Sequence, residues 1–190
     1  MNLLAHSFLT FSEGQIVGQF LNDFIRNKDR FDYAEEIVQG IFLHRQIDTF
    51  TDSHPVIQEA KKFFSPMVRL YSGAFVDVCF DYFLANSLPE DLLERHAKKV
   101  YRVLNEHSAI LPENMKRLLF HMEKDDWLFN YRTENGIKFS MQNVLNKAKY
   151  LEKDLSVFEV FLQNKPLLQQ NFDDFFPELL TFANDVNESF

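Results

Sequence analysis

Apolar residues recur along most of this chain at three- and four-residue intervals, the spacing that predicts amphipathic helices, and no strand-like alternation persists. Helices are predicted over 13–28, 34–53, 56–67, 74–86, 87–106, from Pro112 onward, and near 139–150, 152–164 and 172–187. Segment 74–86 is apolar nearly all round, which is typical of a central buried helix. We therefore predict an all-α, single-domain helical bundle spanning residues 1–190.

Local signals mark where some of these helices begin and end. Pro55 disfavours helical geometry at His54 and so predicts the end of the helix at 34–53. Ser87-Leu88-Pro89-Glu90 has the spacing of a capping box, which predicts the start of the helix at 87–106. Residues 132–138 contain Asn135-Gly136 and are predicted to form the clearest loop.

Composition narrows the class of protein. The chain has 190 residues, of which 46% are hydrophobic and 25% charged, values ordinary for a globular domain. Cys79 is its single cysteine and has no internal disulfide partner, and the N-terminus lacks the basic region of a signal peptide. No window has the length of uncharged apolar sequence that a membrane span needs. A soluble cytoplasmic protein without a membrane partner is expected.

The net charge of -8 argues against a general nucleic-acid binder. The charge is uneven, because residues 151–190 hold eight acids and two bases. Bases cluster at Arg95, Lys98, Lys99 and Arg102, and this cluster is the first candidate for a face that docks an acidic partner. Ordinary solvated helix faces are the alternative interpretation of any one such cluster.

The predicted helix at 34–53 carries the first candidate chemistry. His44 and Asp48 lie within about 40° of each other on the helical wheel, on the stripe that Ile37 and Ile41 begin, and Asp52 lies close to that stripe. Burying an imidazole and carboxylates costs several kcal/mol unless each is paired or binds a metal. The alternative is that this end of the helix emerges into solvent.

The helix at 74–86 favours a site over a solvated helix end. Asp77 and Asp81 lie four residues apart within an apolar run, so they share a face and repel each other. One of them would have a strongly raised pKa unless a cation lay beside them. A divalent ion or Arg45 would supply that cation, and a buried ion pair with Arg45 or Arg69 is the structural alternative.

Two further residues are weaker candidates: Asp23 borders the apolar stripe of its helix, and His6 lies in an apolar segment. The candidates together are His6, Asp23, His44, Asp48, Asp52, His54, Asp77 and Asp81, all within the first 81 residues. Helical bundles build metal sites from such mixed sets on facing helices. Imidazole with carboxylate suits Mn²⁺, Fe²⁺, Mg²⁺ or Zn²⁺. The residues therefore predict a metal-dependent hydrolase, with phosphoesters as the favoured substrates.

Several segments, in order along most of the chain, resemble the acyl carrier protein phosphodiesterase family. The matching segments are Met1-Asn2-Leu3-Leu4-Ala5-His6, Gly18-Gln19-Phe20-Leu21-Asn22-Asp23-Phe24, Gly40-Ile41-Phe42-Leu43-His44-Arg45-Gln46-Ile47-Asp48, Thr51-Asp52-Ser53-His54-Pro55, Asp77-Val78, Asp81-Tyr82-Phe83-Leu84, Tyr131-Arg132 and Gln142-Asn143-Val144-Leu145-Asn146. The run from His44 to Asp52 is the most specific of them.

The resemblance implies an all-α fold related to the HD-domain phosphohydrolases. It also implies hydrolysis of holo-acyl carrier protein to apo-acyl carrier protein and 4′-phosphopantetheine, with Mn²⁺ as cofactor and Mg²⁺ or Fe²⁺ as alternatives. Carried over by position, the implied metal or catalytic residues are His6, Asp23, His44 and Asp48, with Asp77 and Asp81 completing the carboxylates. Arg45 would clamp a phosphate or carboxylate, and Asp52, His54 and Tyr82 would contact substrate.

This chain departs from the family pattern at two positions. Tyr82 stands where members commonly have the histidine of Asp-His-Phe, and Gly18-Gln19 replaces Gly-Asn. An unperturbed tyrosine, with a pKa of about 10, is a poor acid-base group at neutral pH. Two other functions therefore stay open: an HD-type phosphohydrolase acting on a nucleotide or another small phosphoester, and a helical binding module whose catalytic site has decayed.

Overall fold

Ten α-helices make up most of the computed structural model, which describes residues 2–190 and contains no strand within that range. The helices are α1 (Leu3–Phe8), α2 (Glu13–Leu21), α3 (Glu35–Ser53), α4 (Pro55–Val68), α5 (Ser72–Ser87), α6 (Glu90–Glu106), α7 (Glu113–Lys124), α8 (Trp127–Asn130), α9 (Glu134–Lys147) and α10 (Val157–Glu188). Three short 3-10 helices lie at Asn27–Asp32, Arg69–Tyr71 and Ser108–Ile110. The predicted all-α fold is confirmed. None of the described helices is long and apolar enough to cross a membrane.

Helix α5 is the centre of the core, as its nearly uniform apolarity predicts. It packs against α1, α4, α9 and α10, and the side chains of Phe75, Phe80 and Phe83 are essentially inaccessible to solvent. The 32-residue α10 covers one side of α3, α4 and α5 with an apolar stripe that includes Phe161 and Phe175. The buried apolar side chains of the described chain form one contiguous cluster.

Helices α2 and α3 approach each other closely because two glycines face the contact. A Cβ added to Gly18 would clash with the carbonyl oxygen of Ile37 and lie 2.7 Å from the backbone nitrogen of Ile41. A Cβ added to Gly40 would lie 2.7 Å from Cα of Gln15. Backbone therefore packs on backbone, and residues next to these glycines are placed within reach of the opposite helix.

The helix predicted over 13–28 ends at Leu21, α1 was not predicted, and the sequence-based boundaries are wrong at three other places. Ser87 ends α5 instead of capping α6, because its hydroxyl donates to the carbonyl of Leu84 and Pro89 occupies the N-cap position of α6. Most of the predicted loop at 132–138 is the first turn of α9, since the Thr133 side chain accepts the amide N–H of Gly136 and caps that turn.

The third difference concerns the end of the chain. The two helices predicted near 152–164 and 172–187 are one continuous helix, α10, which contains Pro166 and Pro177. Each proline removes one backbone hydrogen bond donor from the helix. The buried stripe on both sides of the prolines, from Phe161 to Leu179, packs on the same core and keeps the helix continuous.

We predict that Gly18→Ala and Gly40→Ala each lower the free energy of unfolding by at least about 2 kcal/mol, because the added methyl groups force α2 and α3 apart. Gly73→Ala in α5 is the matched control. Its Cβ would meet only the flexible end of Lys61, at 3.1 Å, so the better helix propensity of alanine should leave stability unchanged or raised by up to about 1 kcal/mol. Urea denaturation measures all three. Equal effects at the three positions would contradict this account of the contact.

Candidate metal and phosphoester site

A cavity of about 420 Å³ opens where α1, α2, α3 and α5 meet, and α7, α8 and α9 contribute to its rim. The described residues that line it are Asn2, Leu3, His6, Gln19, Phe20, Asp23, Phe24, His44, Asp48, Thr51, Asp52, Asp77, Leu118, Trp127 and Lys147. Six of the eight candidates in the first 81 residues therefore lie around one cavity. The two that do not are His54 and Asp81.

The carboxylate of Asp48 joins two stacked imidazoles at the base of this cavity. Its Oδ1 lies 3.2 Å from Nε2 of His6, and its Oδ2 lies 3.1 Å from Nε2 of His44. The two rings are 3.9 Å apart between centroids and nearly parallel, at 8°. One ligand atom from each of the three residues lies within 4.8 Å of the others, an arrangement that suits a metal ion.

Each of these side chains is held by the local structure around it. His44 and Asp48 are one turn apart on α3, so they share a face as their spacing predicts. Nδ1 of His6 lies 2.9 Å from Oε1 of Gln19 on α2, which fixes the ring plane. Asp23, just beyond the end of α2, places Oδ1 at 3.5 Å from Nε2 of His44 and is largely exposed.

Burial and mutual contact shift the pKa values in this cluster in opposite directions. Burial, reinforced by the nearby His44, lowers the pKa of His6 to about 4 despite the contact with Asp48, so its imidazole is neutral at pH 7. Burial acts to raise the pKa of Asp48, but the hydrogen bonds with His44 and His6 outweigh it and hold that pKa below its usual range. Burial raises the pKa of Asp77. A neutral imidazole beside an ionised carboxylate is the state of these groups that binds a metal.

The polar atoms of the cavity wall are incompletely satisfied by the protein. Nε2 of Gln19, Nδ1 of His44 and Oγ1 of Thr51 are buried and have no hydrogen-bond partner among the described residues. Buried polar groups without partners are rare in folded proteins and are expected at sites that bind a ligand. The wall is therefore shaped for contacts beyond those that the chain makes with itself.

The charges of the cavity wall point to a cation. Four of its described residues are aspartates, and Lys147 is the one lysine or arginine among them. Such a wall would repel a phosphodiester unless a positive ion lay between the carboxylates and the phosphate. The donor set of two imidazoles and carboxylates fits a borderline or hard divalent ion, and the only cysteine, Cys79, is buried in the core.

The structure places Asp81 outside this cavity, with its carboxylate bonded to the backbone of α1 and not beside the other candidate metal ligands. Asp81 is fully buried, and its two carboxylate oxygens accept the backbone N–H groups of Leu4 at 2.8 Å and Ala5 at 3.0 Å. These amides belong to the first turn of α1, whose N-cap residue Asn2 provides no side-chain cap. Asp81 therefore caps α1 from a distant part of the chain, and so positions His6.

Arg45 and His54 also lie away from the cavity. Nε of Arg45 donates to Oδ1 of Asn22 at 2.8 Å, and its Nη1 contacts Asn27, so its guanidinium ties α3 to the segment after α2. His54 accepts the amide N–H of Val56 and thereby caps α4, while its Nε2 lies 3.2 Å from Oε2 of Glu178. Their expected roles as phosphate clamp and substrate contact stay predictions.

Of the two remaining residues expected to contact substrate, Asp52 lines the cavity and Tyr82 does not. Tyr82 is buried against Phe161, at 5.3 Å between ring centroids, with the ammonium of Lys165 over its ring at 4.7 Å. Asp52 does line the cavity and is exposed, with Lys61 at 3.0 Å.

The alternative explanation for Asp77 and Asp81 was a buried ion pair with Arg45 or Arg69. Within residues 2–190, neither Arg45 nor Arg69 forms an ion pair with Asp77 or Asp81.

Helix α6, which holds the basic cluster, carries four acids and four bases. Three of its four bases form ion pairs: Arg95 with Asp91, Lys98 with Glu94, and Arg102 with Glu106 and Glu13. The cluster therefore presents little net positive charge to a partner.

Sequence reasoning missed Lys147, Thr51 and Trp127 as cavity residues. The family-like segments offered a signal for two of them. Thr51 belongs to the segment that ends at Pro55, and Lys147 directly follows the segment that ends at Asn146. Trp127 carried no such signal. It reaches the rim because Asp126, with a left-handed φ of 42°, turns the chain into α8.

Fold and cavity together define a class: all-helical proteins that bring histidine and aspartate side chains from several helices into one pocket. The chain belongs to the acyl carrier protein phosphodiesterase family, whose model matches residues 1–179. The members of this family are hydrolases, and the chain is thus a hydrolase by family.

The relatives match along nearly their whole length. The acyl carrier protein phosphodiesterase of Yersinia enterocolitica serotype O:8 / biotype 1B is 29% identical over 190 residues, covering 97% of this chain and 98% of the relative. The acyl carrier protein phosphodiesterase of Pectobacterium atrosepticum is 28% identical, covering 96% of this chain and 97% of the relative. That of Klebsiella pneumoniae subsp. pneumoniae is 27% identical, covering 97% of this chain and 98% of the relative. No solved structure matches the chain significantly.

We predict that Asp81→Ala lowers the free energy of unfolding by roughly 2–5 kcal/mol, because two buried amides lose their acceptor. Burial raises the pKa of Asp81 to about 7, although the amides of Leu4 and Ala5 oppose that shift. A folded-state pKa above the unfolded value means that Asp81 stabilises the fold most when protonated, and that this contribution declines as pH rises through about 7. The gap between wild type and Asp81→Ala should thus be larger near pH 4.5 than near pH 8.

Chemical denaturation at the two pH values measures that gap. Asp91→Ala is the control, since Asp91 is exposed on α6 and paired only with Arg95; its effect should stay within about 0.5 kcal/mol. An Asp81 variant as stable as the Asp91 variant would contradict the capping role.

Proposed function

We propose that this chain is a metal-dependent phosphodiesterase that hydrolyses holo-acyl carrier protein to apo-acyl carrier protein and 4′-phosphopantetheine. The observation that carries the proposal is the convergence of His6, His44 and Asp48 in one cavity, in a chain of this family. In the reaction, water adds its hydroxyl group to phosphorus, the bond from phosphorus to the carrier serine oxygen breaks, and that oxygen takes up the hydrogen.

The proposed cofactor is Mn²⁺, with Mg²⁺ or Fe²⁺ as alternatives. His6, His44 and Asp48 would hold it, with Asp23 and Asp77 close enough to the same cavity to contribute. A bound divalent ion supplies Lewis-acid polarisation of the phosphoryl group and activation of water. Its positive charge also offsets the aspartates that would otherwise repel the substrate.

The protein's own residues have separate tasks in this proposal. Gln19 holds the His6 ring, and the α2–α3 contact holds Gln19 next to α3. Lys147 forms no ion pair with any described residue and lines the same cavity, so its ammonium is placed to neutralise a phosphate oxygen. Phe20, Phe24 and Leu118 form the apolar part of the wall and limit the access of solvent.

Intact-protein mass spectrometry of holo-acyl carrier protein tests the reaction. We expect the mass of the phosphopantetheine group to be lost on incubation with this protein and Mn²⁺, and to be retained when a chelator is added. Re-addition of Mn²⁺ should restore the loss. A holo protein that keeps its mass under all three conditions would refute the proposed reaction.

Substitutions in the cavity test the assignment of residues. His44→Ala and Asp48→Ala should abolish turnover with near-wild-type helicity by circular dichroism, since each removes one member of the donor set. Lys147→Met should lower kcat/KM about tenfold, a loss of about 1.4 kcal/mol of transition-state stabilisation. His121→Ala, at the far end of α7, is the control and should retain full activity. Full activity in the His44 or Asp48 variant would contradict the assignment of the catalytic site to this cavity.

A second candidate function is hydrolysis of a nucleotide or another small phosphoester. The observation that favours it is the aromatic part of the wall, where Phe20, Phe24 and Trp127 could stack on a base. A panel of nucleotides with Mn²⁺, assayed for released phosphate or nucleoside, distinguishes it from the first: turnover of a nucleotide without turnover of holo-acyl carrier protein would replace the first proposal.

A further inference from the structure

Two further cavities adjoin the proposed catalytic cavity and share Trp127 with it. The smaller, of about 80 Å³, is lined by Asn2, Leu3, Val78, Trp127, Tyr131, Ser140, Asn143, Val144 and Lys147. The larger, of about 410 Å³, is lined by Asp125, Trp127, Asn130, Thr133, Asn135, Gly136, Phe139 and Ser140. Four residues of the smaller cavity also line the catalytic cavity, and Ser140 joins the smaller to the larger. The three form one track past Trp127.

Trp127 is held in position and keeps an unused donor. Its ring meets that of Phe139 edge-on, with 6.0 Å between centroids. Its indole N–H is buried and has no acceptor within the described part of the chain. An indole N–H in this state is suited to a carbonyl oxygen supplied by a ligand.

The chemistry of the wall changes along the track. The catalytic cavity has four aspartates, two histidines and a lysine, which suit a metal and a phosphate. Beyond Trp127 the lining is mostly neutral: amides from Asn130 and Asn135, hydroxyls from Thr133 and Ser140, and the Phe139 ring, with Asp125 as the one acid. The Asn130 amide and the Thr133 hydroxyl already bond to backbone groups. Side chains of this kind suit amide groups of a ligand, and the Phe139 ring suits the carbon chain between them.

We propose that the larger cavity beyond Trp127 binds the amide-bearing pantetheine arm of the substrate while its phosphodiester lies in the catalytic cavity. This inference rests on the proposed function, because it places the rest of the same substrate. The arm is a neutral chain with two amide groups, which matches the neutral lining and the unused N–H of Trp127. A site for the arm would let the protein distinguish this phosphodiester from others of equal charge.

Trp127 reports directly on this site, because it is the only tryptophan of the chain. The experiment titrates chelator-treated protein with pantetheine, which lacks the phosphate and therefore does not depend on a metal. We expect a saturable change in tryptophan emission. We also expect pantetheine to inhibit hydrolysis of holo-acyl carrier protein competitively when Mn²⁺ is present.

A blocking variant and a matched control locate the binding. Asn135→Phe, in the exposed first turn of α9, should fill the larger cavity, weaken pantetheine binding by at least about tenfold and lower kcat/KM for the holo protein. Asn146→Phe introduces the same side chain on the same helix outside all three linings, and should bind pantetheine as the wild type does. Thermal melts confirm folding of both, and Asn135→Leu is a smaller block if Asn135→Phe melts early.

The outcomes separate this inference from the proposed function. No emission change with wild-type protein, or equal affinity in the wild type and the Asn135 variants, overturns the arm site whether or not the holo protein is hydrolysed. Pantetheine binding that Asn135→Phe weakens and Asn146→Phe does not supports it. The same pattern without any hydrolysis of the holo protein would support a pantetheine site and overturn the proposed reaction.

Discussion

The backbone contact between α2 and α3 is the constraint on which the site depends. Gly18 and Gly40 let the two helices touch without intervening side chains. Gln19 directly follows one glycine, and His44 lies one turn after the other. The contact therefore brings Gln19, which orients the His6 ring, close to His44, which stacks on that ring. Larger residues at the two glycines would separate groups whose useful distances are all near 3 Å.

The site also shows how a helical core accommodates carboxyl groups next to apolar side chains. Asp48 stays ionised because two imidazoles face it, while Asp81 is stabilised by two backbone amides. Each carboxylate has a different kind of partner, and each arrangement serves the position of His6. Thr51, Gln19 and His44 retain buried polar atoms without partners. Natural proteins keep such costly features at functional sites more often than elsewhere.

Helical period predicted α3 and α5 closely, but it predicted no helix at α1 and placed the end of α2 at residue 28 instead of Leu21. The stripe from Ile37 to Asp48 is regular, so both the bounds of α3 and the shared face of His44 and Asp48 followed from its period. Asp81 was expected beside Asp77 because helical period places both on one face, and only tertiary packing shows that the start of α1 lies against the Asp81 carboxylate. The ends at Ser87 and Thr133 depend instead on local hydrogen bonds, between residues three apart, for which each hydroxyl had more than one possible partner.

The shortness of α1 has a consequence for local stability. A helix of six residues is too short to persist alone in water, so His6 is presented only while α1 is docked on α5. Undocking of α1 would break the cluster without global unfolding. Any ligand that binds His6 and His44 together adds its binding free energy to the docked state. The amides of Leu4 and Ala5 should then exchange with solvent deuterium more slowly in the liganded protein, because the ligand stabilises the docked state of α1.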